Sequence, residues 1–503
     1  MLEIRNLNIT INEKEYIKDL NIKINAHDKL AIIGEEGNGK STLLKAIYDF
    51  ELVPYAKIVG NINHKNYTLG YLSQTLDETN QSVLDFLELN DYHYQERKEM
   101  YKGLKDFNLD GTILEKTVSS LSGGEKVKVS LLKLLLKNPD ILLLDEPSND
   151  LDIETLTWLE NFIVNESKPV IFISHDETLL EKTANRILHI ELLKHKEEAK
   201  HTISNISYKD YIDTRNNAIT HQTELAHKEQ QNFKKQQEKL QQVMQKVEYQ
   251  QNTITRSDPH GARLLKKKMK SLKSQEKRQK NTVRVTVPDQ EETINLFFEP
   301  VFIPPNKLII SYHKSPLKVE NIILTKEVNL EVKGQEHIVI IGKNGAGKTT
   351  LLKEIIKELS TKSDIKVGYM PQNYEEVLDE SITPIAFLTS SSDVKELTKV
   401  RSFLGNSNFT KEEMTSSIET LSGGSKAKLF LLYFIYNKCN VLVLDEPTRN
   451  LSPLSNPIIC KILKNYTGTI ISVSHDRNYI KEVGDKVYEL TEENLHLIKK
   501  IHE

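Results

Sequence analysis

The sequence predicts an α/β protein made of two copies of one domain joined by a pair of helices. Three observations carry this. Five short motifs recur in the same order some 300 residues apart. In each copy an apolar, β-branched run enters a glycine-rich loop and then a leucine-rich helix. Between the copies the chain turns polar, rich in Gln, Lys and Glu, with apolar residues at helical spacing.

At 503 residues the chain exceeds one ordinary domain, and each half can bury a full core. The net charge of −3 is small, and the two cysteines, Cys439 and Cys460, offer neither a zinc spacing nor a disulfide framework. That usage fits a reducing compartment. The opening MLEIRNLNIT lacks a basic-then-apolar signal segment. No run approaches the ~20 apolar residues of a membrane span. A cytoplasmic protein with no membrane segment is expected.

The repeat is explicit. GEEGNGKST at Gly34 returns as GKNGAGKTT at Gly342, and GYLSQ as GYMPQ. LSGGEKVKVSLLKLLL at Leu121 returns as LSGGSKAKLFLLYFIY at Leu421. ILLLDEPSNDLD returns as VLVLDEPTRNLS, and VIFISHD as IISVSHD. A period of this length marks a duplicated domain, not a solenoid. The expected division is a first domain over 1–205, a connector over 206–300 and a second domain over 301–503.

Ala31-Ile32-Ile33 and Val339-Ile340-Ile341 read as buried strands that feed the glycine-rich loops. Strand, loop and helix in that order are the context a phosphate-binding loop requires. Backbone N–H groups of Gly34, Gly37, Asn38, Gly39 and Thr42, and of Gly342, Asn344, Gly345, Ala346, Gly347 and Thr350, are candidates to cradle phosphate oxygens. Lys40 and Lys348 supply a cation to the terminal phosphates, and Ser41 and Thr349 a hydroxyl to Mg²⁺. Glu36 stands where the second loop has Asn344. A carboxylate near phosphates is unfavourable, so the first site is expected to bind ATP more weakly.

Ile141–Leu144 and Val441–Leu444 suit central parallel strands buried on both faces. Asp145 and Asp445 follow at the strand ends and are candidate Mg²⁺ ligands together with Gln74 and Gln372. Glu146 and Glu446 are placed to polarise the attacking water, with Gln74 and Gln372 in reach of it. A single strand-end histidine is ordinarily a surface or capping residue. Ser-His-Asp at the same place in both halves instead marks His175 and His475 for contact with the γ-phosphate.

With LSGG at Leu121–Gly124 and Leu421–Gly424 the sequence resembles the ATP-binding cassette superfamily, whose signature this is. The resemblance implies that the signature of one cassette closes over ATP held by the other. Site one then pairs Lys40, Glu146 and His175 with Ser422, Gly423 and Gly424. Site two pairs Lys348, Glu446 and His475 with Ser122, Gly123 and Gly124. Two departures fall in the second cassette: Ser425 replaces Glu125, and Ser452 replaces Asp152. They imply slower hydrolysis at site one. No aromatic stands at the usual adenine-stacking position near Ile11; Tyr16 is the nearby substitute.

In the connector, Phe233, Leu240, Met244 and Val247, and then Leu265, Met269 and Leu272, follow seven-, four- and three-residue steps. Two helices packed as an antiparallel coiled coil explain them, with a loop or helix break over 248–262. From Lys228 to Arg284 sixteen basic residues stand against five acidic ones, an excess of about +11. A solvated helical face and an anionic membrane surface are alternatives. Stacked lysines without counter-ions repel one another, and a polyphosphate partner relieves that.

Two tandem cassettes, no membrane segment and a charged two-helix linker together resemble the ABC-F family. DEPTRNLSPLS and SDPHGARLLKKKMKS resemble the branch that protects ribosomes from lincosamide, streptogramin A and pleuromutilin antibiotics. The resemblance implies a monomeric ATPase with intramolecular cassette pairing that binds the ribosome in the tRNA exit site. Its hairpin would reach ribosomal RNA near the peptidyl transferase centre and the peptidyl tRNA. Tyr249, Arg256, His260, Arg263, Lys266, Lys267, Lys268 and Lys270 are the candidate RNA contacts. Two other readings stay open: a housekeeping ABC-F factor relieving stalled ribosomes, and the ATPase subunit of an efflux transporter.

Overall fold

The computed structural model describes residues 2–65, 67–74, 79–88, 94–149, 151–193, 198–253, 259–280, 298, 300–319, 322–407, 409–449 and 451–498. The chain forms two compact units, Met1–Tyr208 with Glu291–Glu503, and Lys209–Gln290.

The first unit holds two cassettes of one plan. In the first cassette a six-stranded sheet runs in the order Leu69–Leu72, Ile141–Asp145, Val170–Ile173, Lys29–Ile33, Arg186–Leu192, Glu198–Ser204. In the second the order is Val367–Met370, Val441–Asp445, Thr469–Val473, His337–Ile341, Lys486–Leu490, Leu495–Ile498. Five strands of each sheet are parallel, and the last is antiparallel at the edge. The three central strands of each are buried along their whole length. Helices on both faces leave no wet side, which is why these runs are continuously apolar. The order sets the ends of the loop strand and the Asp-bearing strand on either side of one other strand, at the carboxyl edge where α/β sheets gather their ligands. A smaller antiparallel sheet, Lys14–Ile24, Leu2–Ile11 and Ala56–Asn63, packs Leu2, Leu7 and Ile9 into a core with Leu43 and Leu44 of the loop helix.

The second unit carries the helices Tyr208–Thr253 and Pro259–Lys280. Leu240 and Val247 are buried, and Phe233, Met244, Leu265, Met269 and Leu272 half-buried, so one stripe of each helix is covered. Helix extends further into the segment 248–262 than the sequence suggests. The first helix continues through Tyr249 to Thr253, whose hydroxyl donates to the Tyr249 carbonyl at 2.8 Å. Nothing between Glu248 and Thr253 is Gly or Pro, so the helix has no reason to stop there. Proline opens the second helix, where its missing N–H costs nothing. Arg256, with the rest of 254–258, and residues 281–297 lie outside the described residues.

Within the first unit the cassettes meet through polar side chains. Arg477 donates to Glu160 at 2.6 Å and to Thr157 at 2.9 Å, and Asn478 donates to Glu177 at 2.5 Å. Lys182 also reaches Glu160, at 2.9 Å. Burial, with Asp476 adding, pushes the Glu177 carboxyl up to about 8 from its ordinary 4.5. The neutral form is therefore the one the folded interface favours. Its contribution is complete below 4.5 and lost as pH rises through about 8. Glu177→Gln keeps an oxygen for Asn478 and removes that loss. The variant should melt about 2–4 °C above the parent at pH 8.5, with the gap closing toward pH 5. Thermal unfolding at both pH values reads the difference, and a gap that does not depend on pH contradicts the assignment.

Candidate nucleotide sites

Each glycine-rich loop wraps its own lysine. Lys40 Nζ donates to the carbonyls of Gly34 and Glu35 at 2.8 and 2.9 Å, and Lys348 Nζ to those of Gly342 and Lys343 at the same distances. The loops require glycine at their closest approaches. Gly34 and Gly342 have φ of 147° and 149°, and a Cβ there would stand 2.2 Å from the Ile190 carbonyl oxygen and 2.4 Å from that of Leu490. Gly39 and Gly347, at φ 82° and 93°, cap the helices Lys40–Tyr48 and Lys348–Leu359 without a side-chain cap, so that no capping carboxylate or hydroxyl stands between the helix N-termini and an anion. Asn38 braces the first loop through Ile190 at 3.0 Å; Ala346, its counterpart, has no such group.

At the strand ends, Ser41 Oγ donates to Asp145 at 2.9 Å and Thr349 Oγ1 to Asp445 at 2.7 Å. A hydroxyl and a carboxylate side by side are hard oxygen donors of the kind Mg²⁺ takes. Among the described residues no group of three His, Cys, Asp or Glu side chains could hold a metal unaided. That donor set fits an ion whose shell is completed by phosphate oxygens and water. Gln372 lies in the second site's cavity, whereas Gln74 stands exposed beyond its strand.

Glu146 and Glu446 adopt φ of 50° and 51°, a left-handed conformation that is strained for a glutamate and is repeated at both sites. Their surroundings differ. Glu146 accepts from Asn149 at 2.7 Å and lies 3.0 Å from His175 Nε2. Burial opposes its ionisation, but His175 and Lys40 outweigh burial and hold the carboxyl at about 2. Glu446 accepts the His475 backbone N–H at 3.2 Å, and its Oε1 is 3.7 Å from His475 Nε2. Arg449 replaces Asn149 there. Burial and then Asp445 push Glu446 up to about 8, while burial and Lys348 push His475 down to about 3. The buried Nδ1 atoms of His175 and His475 and Oε1 of Glu446 have no partner among the described residues, as expected of groups that face a ligand.

Residues of both cassettes line one cavity of about 780 Å³. The second supplies Asn344, Gly345, Gly347, Lys348, Thr349, Thr350, Asp445, Glu446 and His475; the first supplies Gly123, Asn149 and His175. Val319 and Leu324 form its apolar wall, with Leu324 packed on Gly347. Tyr16 packs on Gly39 in the same way, so the first site has an aromatic where the second has an aliphatic side chain. Gly123 opens the 14-residue helix Gly123–Leu136, capped by Ser122, and Gly124 packs on Thr155. Ser422, Gly423 and Gly424 open the matching helix Gly423–Tyr436. Its Gly424 N–H donates across the interface to Glu36 at 2.5 Å.

Sequence reasoning missed Tyr71, whose hydroxyl donates to Asp145 at 3.1 Å, and Asn149, which holds Glu146. The repeated Gly-Tyr of GYLSQ and GYMPQ was a usable signal for the first; the Asn149/Arg449 difference hid the second.

Fold and site together define a P-loop ATPase with paired cassettes. A family model described as ABC transporter matches residues 17–149 and 325–449, just over half of the chain. The ATP-binding protein Uup of Buchnera aphidicola (subsp. Acyrthosiphon pisum) is 29% identical over 97% of this chain and 80% of its own length. ABC transporter F family member 5 of Arabidopsis thaliana is 26% identical over 94% and 72%. The archaeal ribosome recycling factor aABCE1, solved with ribosomal stalk protein aP1, has the same fold: TM-score 0.59 over 98% of this chain and 89% of that one, at 18% identity. The chain belongs to the ATP-binding cassette family as an ABC-F ATPase, hydrolysing ATP with Mg²⁺. Among the described residues no helix is long and apolar enough to cross a membrane.

Proposed function

We propose that this ATPase works on the ribosome, entering the tRNA exit site and dislodging lincosamide, streptogramin A and pleuromutilin antibiotics from the peptidyl transferase centre. The observation that carries the reading is the lysine-rich face of the helix Pro259–Lys280. Arg263, Lys266, Lys267, Lys268 and Lys270 all stand exposed on it, in a chain that is otherwise slightly acidic. Such a face suits a phosphate backbone. Tyr249, 70% exposed near the end of the preceding helix, and the exposed His260 are the side chains we assign to stacking on or bonding RNA. A ribosome recycling factor shares the two-cassette fold, which supports the same partner.

The site residues take these roles. Lys40 and Lys348 hold the β- and γ-phosphates. Ser41 and Asp145, and Thr349, Asp445 and Gln372, would hold Mg²⁺, with Gln74 turning in from its exposed position to join the first set, and the ion would neutralise phosphate charge. Glu146 and Glu446 orient and polarise the attacking water, and His175 and His475 steady the γ-phosphate. Ser122–Gly124 and Ser422–Gly424 close each site from the opposite cassette. ATP thus joins the cassettes, and hydrolysis releases them.

The test uses the chain with Glu146→Gln and Glu446→Gln, pelleted with 70S ribosomes at two salt concentrations. Co-sedimentation with ATP and not ADP, weakened by salt, is the expected result. Protein left in the supernatant with ATP bound sinks the reading and favours a membrane partner. In cells, expression of the parent should raise resistance to the three drug classes. Ribosome binding without any such change points to a housekeeping role instead.

A further inference from the structure

The glycine-rich loop of site one reaches into the second cassette with two carboxylates. Glu36 Oε2 accepts the Gly424 N–H at 2.5 Å, and Glu35 Oε1 accepts from Ser452 Oγ and Ser455 Oγ at 2.7 Å each. Glu36 therefore sits on the N-terminus of the 14-residue helix Gly423–Tyr436, whose first N–H groups and dipole favour an anion.

The other half arranges its charge in reverse. The helix Gly123–Leu136 carries its own acid: Glu125 accepts from the Ser122 backbone N–H at 2.9 Å and from the Ser122 hydroxyl at 2.8 Å. Asp152 accepts from Thr155 at 2.9 Å and from the Asn344 backbone, and the facing loop offers Lys343 and Asn344. In the second cassette Ser425 replaces Glu125, so the Ser425 side chain brings a hydroxyl and no carboxylate to Ser422, at 3.1 Å, while its backbone N–H donates to Ser422 Oγ at 3.2 Å; Ser452 replaces Asp152. Both acids missing from the second cassette's loops are thus supplied by the first cassette's phosphate loop. The two departures and the two loop glutamates are one arrangement.

At site two Gly123, at the start of the matching helix, lines one cavity with Lys348 and Thr349, so this helix end faces the phosphate seat. We propose that Glu36 is a built-in occupant of the corresponding seat at site one, so that ATP entering there has to displace it. Two anions cannot share one N–H donor without strong repulsion. Glu36 thereby sets site one to a lower ATP affinity than site two and holds the cassettes together on that side before ATP enters. The proposal rests on the reading of these loops as nucleotide seats.

The experiment measures binding of a fluorescent N-methylanthraniloyl ATP to the full chain. Lys348→Ala restricts the probe to site one, and Lys40→Ala restricts it to site two. Glu36→Asn, which installs the residue of the second loop, should tighten site one about 10-fold, the worth of one charge-assisted hydrogen bond. Ser425→Glu restores an acid on the second helix, repels Glu36 and should tighten site one in the same direction. The two changes together should give less than the product of the two effects, because they release one contact. Affinity at site one that is unchanged or weaker in Glu36→Asn overturns the proposal, as do fully multiplicative effects. No probe binding at site one in the parent or any variant, with site two intact, overturns instead the nucleotide-seat reading beneath it.

Discussion

Replacing Glu146 and Glu446 together with glutamine lowers ATP turnover by about 10²–10³-fold and leaves ATP affinity within about threefold. The amide keeps the shape and the hydrogen-bond reach of the carboxyl but has no ionised form to take the water's proton, whereas Glu146 is held ionised and Glu446, at about 8, keeps an ionised fraction at pH 7. The single variants differ in stability before they differ in rate. Glu146 is held ionised at about 2 by His175 and Lys40 against its burial, so Glu146→Gln strands a histidine that had a charged partner 3.0 Å away. An apparent melting temperature about 2–4 °C below the parent follows. Glu446 is already pushed up to about 8 by burial and Asp445, so its amide replaces a neutral carboxyl and should melt with the parent at pH 7. Steady-state phosphate release and thermal unfolding of the three variants check this. A double variant that retains more than a tenth of parental turnover removes both glutamates from the chemistry.

Neutralising Lys266, Lys267, Lys268 and Lys270 with glutamine should weaken association with ribosomes by about 10²–10³-fold near physiological salt. The slope of log affinity against log salt should flatten by about 3. All four stand exposed on one helix, where glutamine and lysine have nearly equal helix propensity. Helical content by circular dichroism is therefore expected to hold, so a loss of binding reports charge and not folding. Sedimentation across a salt series measures both the affinity and its slope. An unchanged slope means that these lysines meet solvent, and the hairpin then binds through something other than phosphates.

The sequence by itself determined the duplication, the α/β class and the identity of the chemical groups. Phosphate binding fixes glycine, lysine and hydroxyl residues within nine positions of each other. A buried parallel strand has to be apolar throughout before its terminal Asp-Glu. Such constraints act along the chain and can be read along it. The extension of the linker helix past Tyr249 was also there to be read, in a run with neither Gly nor Pro, but the Thr and Gln residues blurred it. Tertiary structure alone decided how the two sites differ. Glu36 meets Gly424 across 388 residues, and Glu35 meets Ser452 across 417. Ser425 and Ser452 look like losses when each cassette is read alone, and become complements once the opposite loop faces them. The opposed pKa directions of Glu146 and Glu446 have the same origin, since identical Asp-Glu-Pro triplets fall in different burial beside Asn149 and Arg449. Electrostatics and burial depend on distances through space, and those are set by sheet order and cassette pairing rather than by spacing in the sequence.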